Sequence, residues 1–294
     1  MNQTSRGLRD IAGEIVLVAG GGRAILLQIA HPAVGRGVAD HSDFASRPLD
    51  RLKATLTYVY AVVYGSPEEV AIVRQRVNRA HAPVHSAEEA GGHPYDAYDP
   101  QLQLWVAATL YETAVTMYQC VFGPLDEESA ERIYQDYASI GTALQVPHEI
   151  WPADRHAFRR YWESMLPRLG ADEATQRVAN DLLHASNSPW WLRAAMPLGR
   201  LLTVGLLSPD LRSSFALPWP RRAQRRFDRW MRFTAAVYPR LPPRMRHRLR
   251  DHYLAELRAD LHAAPCTASA KGTPSARGTP GTRGDTEQRQ SFPF

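Results

Sequence analysis

Residues 51–84 read "RLKATLTYVYAVVYGSPEEVAIVRQRVNRAHAPV". Leu52, Leu56, Val59 and Val63 recur at steps of three and four, the period of one helix face, and Gly65 supplies a C-terminal stop. A new start follows at once. Ser66 stands at an N-cap position, Pro67 at the first helical position, and Glu68 and Glu69 complement the positive end of the helix dipole. The second stripe is Val70, Val73, Val77 and then His81, and Pro83 disturbs the helix soon after.

The same period recurs downstream. It predicts helices over residues 101–122, 126–144, 155–166, 172–185, 221–238 and 243–262, with 88–100 a loop by composition. No stretch sustains a period of two, so the predicted fold class is all-α. No linker interrupts the chain before the last thirty residues, which predicts a single multi-helix domain over 1–264. Residues 265–294 are rich in Gly, Pro, Ser and Thr and almost free of large apolar side chains, the composition of a disordered tail.

The 294 residues, 44% of them apolar, suffice for a large core. The net charge of +5 comes from 35 basic and 30 acidic residues spread along the chain, whereas nucleic-acid binding calls for a clustered basic footprint. No nucleic-acid partner is expected. Cys120 in an apolar helix and Cys266 in the tail form neither a disulfide framework nor a CxxC metal site. The start "MNQTSRGLRDIAGEI" has no apolar signal core, and with the cysteine usage it predicts a cytoplasmic protein. The apolar run at 15–30 is broken by Gly20, Gly21, Gly22 and Arg23 and falls short of the roughly 20 residues of a spanning helix. No transmembrane segment is expected.

Several groups could carry chemistry. "IVLVAGGGRAILLQIA" could form a strand, a glycine turn and a phosphate-cradling helix, with Asp40 as the ribose acid. Ile25 stands where that motif needs its third glycine and no train of βα units follows, so close helix packing is the simpler use of the glycines. His81 and His85 lack the adjoining acid of a zinc motif. His81, ending an apolar stripe, has the character of an axial ligand to a large apolar cofactor such as haem, and equally of a half-buried core histidine. Arg51 and Thr55, four apart, put a cation and a hydroxyl on one helix face. Together they could stabilise charge on oxygen, or be no more than surface groups. Trp105, Tyr111, Glu112 and Tyr118 read as core on one helix, with Glu112 needing a basic partner from another. Trp190, Trp191 and the basic helix at 221–232 have a composition suited to a membrane surface, with a solvated face the more economical account.

Taken in order, "GGGRAILLQIAHPAVGRGVADHSDF", "RPLDRLKATLTYVYAVVYG", "NRAHAPVHS", "YDAYDPQLQLWVAATLYET", "GPLDEESAERIYQDY" and "LLSPDLRSSFALPWP" resemble the MpaB-type oxygenases, a family that includes the rubber oxygenase (latex-clearing protein) catalytic domain. The resemblance spans about residues 10–245. It implies a helical fold with a haem pocket, a b-type haem whose iron is held by the histidine opening a His-x-x-Val stretch, here His81, and a distal pair matching Arg51 and Thr55. It implies a haem b-dependent oxygenase taking dioxygen and a hydrophobic, unsaturated or isoprenoid small molecule.

The chain departs from the rubber oxygenases in two places. Ala54 stands where they carry a distal lysine, and the position of their catalytic acid falls near Gly35, with Asp40 and Asp43 a little further on. Both departures point away from polyisoprene, and they leave a non-catalytic haem or lipid binding protein as the alternative. His31 and His41 sit at signature positions of the family and are expected to shape the pocket, with Pro32 and the glycines bending the chain between helices and Asp43 bonding backbone amides.

Overall fold

A computed structural model describes residues 5–41, 48–86, 95–144, 146–185 and 189–263. The expected tail at 265–294, Cys266 and Asp43 lie outside the described residues. Among those described there are fourteen α-helices and no strand beyond one isolated bridge, His85 with Asp96. The all-α class holds.

The long helix Pro100–Phe122 is the axis of the fold. Asp99 caps it by accepting from the Gln101 amide at 2.7 Å, Pro100 opens it, and Gly123 ends it at φ 88°, where only glycine is unstrained. Its residues Leu104, Trp105, Ala108, Tyr111, Met117 and Tyr118 are all buried. Two helices pack along its Tyr111 side, Glu127–Thr142 and Arg155–Met165. They deliver Tyr134, Tyr137 and Phe158 to the Tyr111 ring at centroid distances of 4.9–5.2 Å, offset or edge-on, as aromatic quadrupoles prefer. A second apolar cluster joins Gly21–Ile29 to Glu173–His184, Trp190–Leu206 and Pro209–Ser214 through Leu26, Leu183, Val204 and Phe215.

We number the helices used below α1 (Gly21–Ile29), α2 (Pro32–Asp40), α3 (Pro48–Tyr64), α4 (Pro67–His81), α5 (Pro100–Phe122), α6 (Trp190–Leu206), α7 (Arg221–Val237), α8 (Pro243–Arg246) and α9 (Arg248–Ala263). The glycine run serves close packing. A Cβ on Gly20 would fall under 3.0 Å from Thr113, and one on Gly22 under 3.0 Å from Thr203, so the backbone is wedged between α5 and α6. The segment Ile15–Ile29 then turns through 103° into α2, the bend expected at Pro32. No single described helix is long and apolar enough to cross a membrane. That bent pair passes the test of length and composition together, and its Leu26, Leu27 and Ile29 are core residues.

The pair α3 and α4 is built as its sequence predicts. Gly65 ends α3, and a Cβ there would press on the Ala61 carbonyl. Ser66 Oγ accepts from the Glu69 amide at 3.3 Å while Glu69 Oε2 accepts from the Ser66 amide at 2.9 Å, a reciprocal capping box. Glu69 Oε1 also accepts from Arg258 Nε on α9 at 2.7 Å, and this bond is the main cause holding the Glu69 carboxyl below the usual range. A depressed folded-state pKa stabilises the fold above the ordinary glutamate value near 4.5, and the contribution is lost as pH falls through the depressed one. Glu69→Gln keeps an acceptor for the Ser66 amide and loses only the charge facing half-exposed Arg258, so it should cost about 0.5 kcal/mol at pH 7. Urea unfolding should show the gap between variant and parent closing as pH drops below that value.

One expected element divides. The basic helix predicted over 243–262 breaks at His247 into α8 and α9, because Arg246 and His247 both turn onto buried Glu14, at 2.7 and 3.2 Å from its Oε1. Tyr238 donates to the other oxygen at 2.9 Å. A partner more than 200 residues away thus sets a local break.

Candidate functional site

Helices α3 and α4 are antiparallel neighbours across a two-residue turn, so the start of α3 lies level with the end of α4. Arg51 is fourteen residues before Gly65 and His81 fifteen after Ser66, which at 1.5 Å per residue puts both about 20 Å from the turn. The two side chains share the open end of the hairpin. Their electrostatics agree: the Arg51 charge is felt at His81, where burial first and that charge second lower the imidazole pKa below 6.5.

Arg51 and Thr55 are both exposed on α3, and protein packed about the Arg51 guanidinium accounts for its pKa, lowered to about 10. Arg51 stays charged at neutral pH, and His81, half-buried, stays neutral. A neutral imidazole keeps the lone pair that a metal needs. Among the described residues His81 Nδ1 is buried without a hydrogen-bond partner, an arrangement that costs free energy unless another group answers it.

The end of α4 is clamped to α2. The Ser86 amide donates to the Tyr95 carbonyl at 2.8 Å, the Ala97 amide to the Val84 carbonyl at 2.9 Å, and the Tyr98 hydroxyl to the Asn78 carbonyl at 2.6 Å. Tyr95 lays its ring over Gly37, where a Cβ would come within 3.0 Å, and donates to Asp40 at 3.2 Å. Asp40 also holds Arg36 at 2.9 Å and is committed to this contact. His85, in the bridge with Asp96, lies beyond the end of α4 and so does not repeat the face of His81.

The signature histidines mark the two ends of α2. His31 is its N-cap, with its ring 6.3 Å from Trp105, whose Nε1 donates to the Leu27 carbonyl at 3.2 Å and whose indole stacks on Trp162 at 5.2 Å. His41 ends α2, its Nε2 3.5 Å from the Tyr95 hydroxyl. At Gly35 a Cβ would lie under 3.0 Å from both the Ile29 carbonyl and Thr175 Oγ1, so the position near which the resemblance puts a catalytic acid has no space for a side chain. Glu112 has its expected basic partner, Arg23 from α1, at 2.5 Å.

Among the described residues no three His, Cys, Asp or Glu side chains converge to hold a bare metal ion. Haem carries four of its own ligands and asks the protein for one imidazole. The sequence did not foresee the clamp of Tyr95 on Gly37 or the Glu14 hub, because both depend on residues far apart in the chain.

The sequence pattern of the family described as ER-bound oxygenase mpaB/B'/rubber oxygenase, catalytic domain, matches residues 8–236. An uncharacterized protein of Mycobacterium tuberculosis and one of Mycobacterium bovis are each 36% identical over 224 residues, covering 74% of this chain and 87% of the relative. No solved structure matches the chain.

Proposed function

The chain belongs to the family of MpaB and rubber oxygenase catalytic domains, and from this premise we propose that it is a haem b-dependent oxygenase acting on a hydrophobic, unsaturated or isoprenoid-like small molecule. The observation that carries the proposal is the meeting, at one end of a helical hairpin, of the Arg51 guanidinium with a half-buried His81 whose Nδ1 has no hydrogen-bond partner among the described residues. His81 would hold the haem iron through its imidazole. Arg51 and Thr55, one turn apart on the neighbouring helix, would supply a cation and a hydroxyl to stabilise negative charge on oxygen. The haem, when bound, supplies the dioxygen chemistry, and the protein supplies orientation and exclusion of water.

Purified protein mixed with haem should develop a Soret band, and His81→Ala should reduce haem binding at least tenfold while the far-ultraviolet spectrum stays helical. A protein that stays colourless with haem sinks the proposal. The crowding at Gly35 favours one alternative, a haem or lipid carrier without turnover, because no acid can stand there to act as a base. Oxygen uptake with squalene, an apolar isoprenoid alkene, separates the two readings. Haem binding without uptake would favour the carrier.

A further inference from the structure

Helix α7 shows water a face that a solvated helix has no reason to carry. It turns Phe227 onto Gly205 and Trp219, and Met231 into the cluster of Val16, Met117 and Tyr238. That buried side accounts for one apolar row. A second row, Trp230, Phe233 and Val237, spaced i, i+3 and i+7, is 41%, 57% and 41% exposed, and its two rings meet edge-on at 5.9 Å. Toward the helix start, offset to one side of that row, stand Arg222, Arg226 and Arg229, all exposed.

The charge of α7 is one-sided, with six arginines against the single acid Asp228, whose Oδ1 accepts from Gln224 at 2.7 Å. Among the described residues Arg222, Arg226 and Arg229 have no ion-pair partner. We propose that α7 docks this protein on an anionic lipid bilayer, lying in the plane of the interface with Trp230, Phe233 and Val237 among the upper acyl chains and the arginines at the level of the phosphates. An interfacial helix combines these features, a cationic polar face beside aromatic and aliphatic side chains. Guanidinium also pairs with phosphate in bidentate geometry.

Charge decides against other occupants. A second copy would bring one strongly cationic helix against another. A nucleic acid would neutralise the arginines and leave the apolar row in water. The proposal does not depend on haem, so vesicle binding and haem binding can fail separately.

The test is co-sedimentation of the full chain with phosphatidylcholine vesicles, with and without about a third phosphatidylglycerol, near 0.1 M salt. Binding should be at least tenfold tighter to the anionic vesicles. The double variant Arg222→Gln/Arg226→Gln should weaken it about thirtyfold, the loss of two basic residues at such a surface. Trp230→Ser/Phe233→Ser should also weaken it at least tenfold with helicity unchanged. Absence of binding to anionic vesicles overturns the proposal, as does binding that ignores both double variants. A chain that is dimeric by light scattering and made monomeric by Phe233→Ser would assign the face to self-association instead.

Discussion

Glu112→Leu is expected to cost about 3–5 kcal/mol, the penalty for leaving a buried charge without its partner. For a domain of this size that is a fall of about 10 °C or more in Tm. The Arg23 side chain is only 10% exposed and is held by three groups: the Leu206 carbonyl at 3.0 Å from Nε, Thr113 Oγ1 at 2.9 Å and Glu112 Oε2 at 2.5 Å from the same guanidinium nitrogen. Without Glu112 two neutral acceptors remain and the cation keeps its desolvation cost. Arg23→Met should be milder, about 2–3 kcal/mol, because Glu112 is 27% exposed and can turn to water. The double variant should then lie close to Arg23→Met alone, since an apolar pair of similar volume carries no buried charge. Urea unfolding followed by circular dichroism measures all four corners of the cycle. Simple additivity of the two single losses would show that the pair does not act as a unit.

The pair also shows what a sequence can reveal. Glu112 inside an apolar helix announces that it needs a cation, but it does not say which, because Arg23 lies 89 positions earlier. Signals confined to one turn of helix read directly. Gly65, Ser66 and Pro67 fix a stop and a start, and with the valine stripe they bring Arg51, Thr55 and His81 to one end of a hairpin. The helix Trp190–Leu206 escaped notice because Pro197 interrupts it and its first half leaves Trp190 and Trp191 exposed, so no clean apolar stripe forms. The glycine run alone is compatible with a phosphate turn, and only the contacts of Thr113 and Thr203 with it, from distant helices, decide for close packing. The crowding at Gly35 is equally invisible, since it depends on Thr175 and on the carbonyl of Ile29 across a bend.

In the haem-loaded protein, Arg51→Leu should lower kcat for oxygen uptake with squalene by about 10²–10³ while the Soret band remains. The size follows from where the cation lies. Burial takes its pKa down to about 10, far enough above 7 to keep it charged at neutral pH. A charge already stripped of part of its hydration acts through a low effective dielectric and need not reorganise when charge develops on oxygen, and removal of one such donor costs about two to three orders of magnitude. Arg51→Lys should recover only part of the rate, since an ammonium keeps the charge but not the planar fork. Thr55→Val removes a neutral donor one turn away and should cost about tenfold, in line with a hydrogen bond worth about 1 kcal/mol. KM should move little in all three if these groups act on developing charge and not on substrate binding. A loss in KM alone would reassign Arg51 to holding the substrate, and loss of haem in Arg51→Leu would reassign it to holding the cofactor.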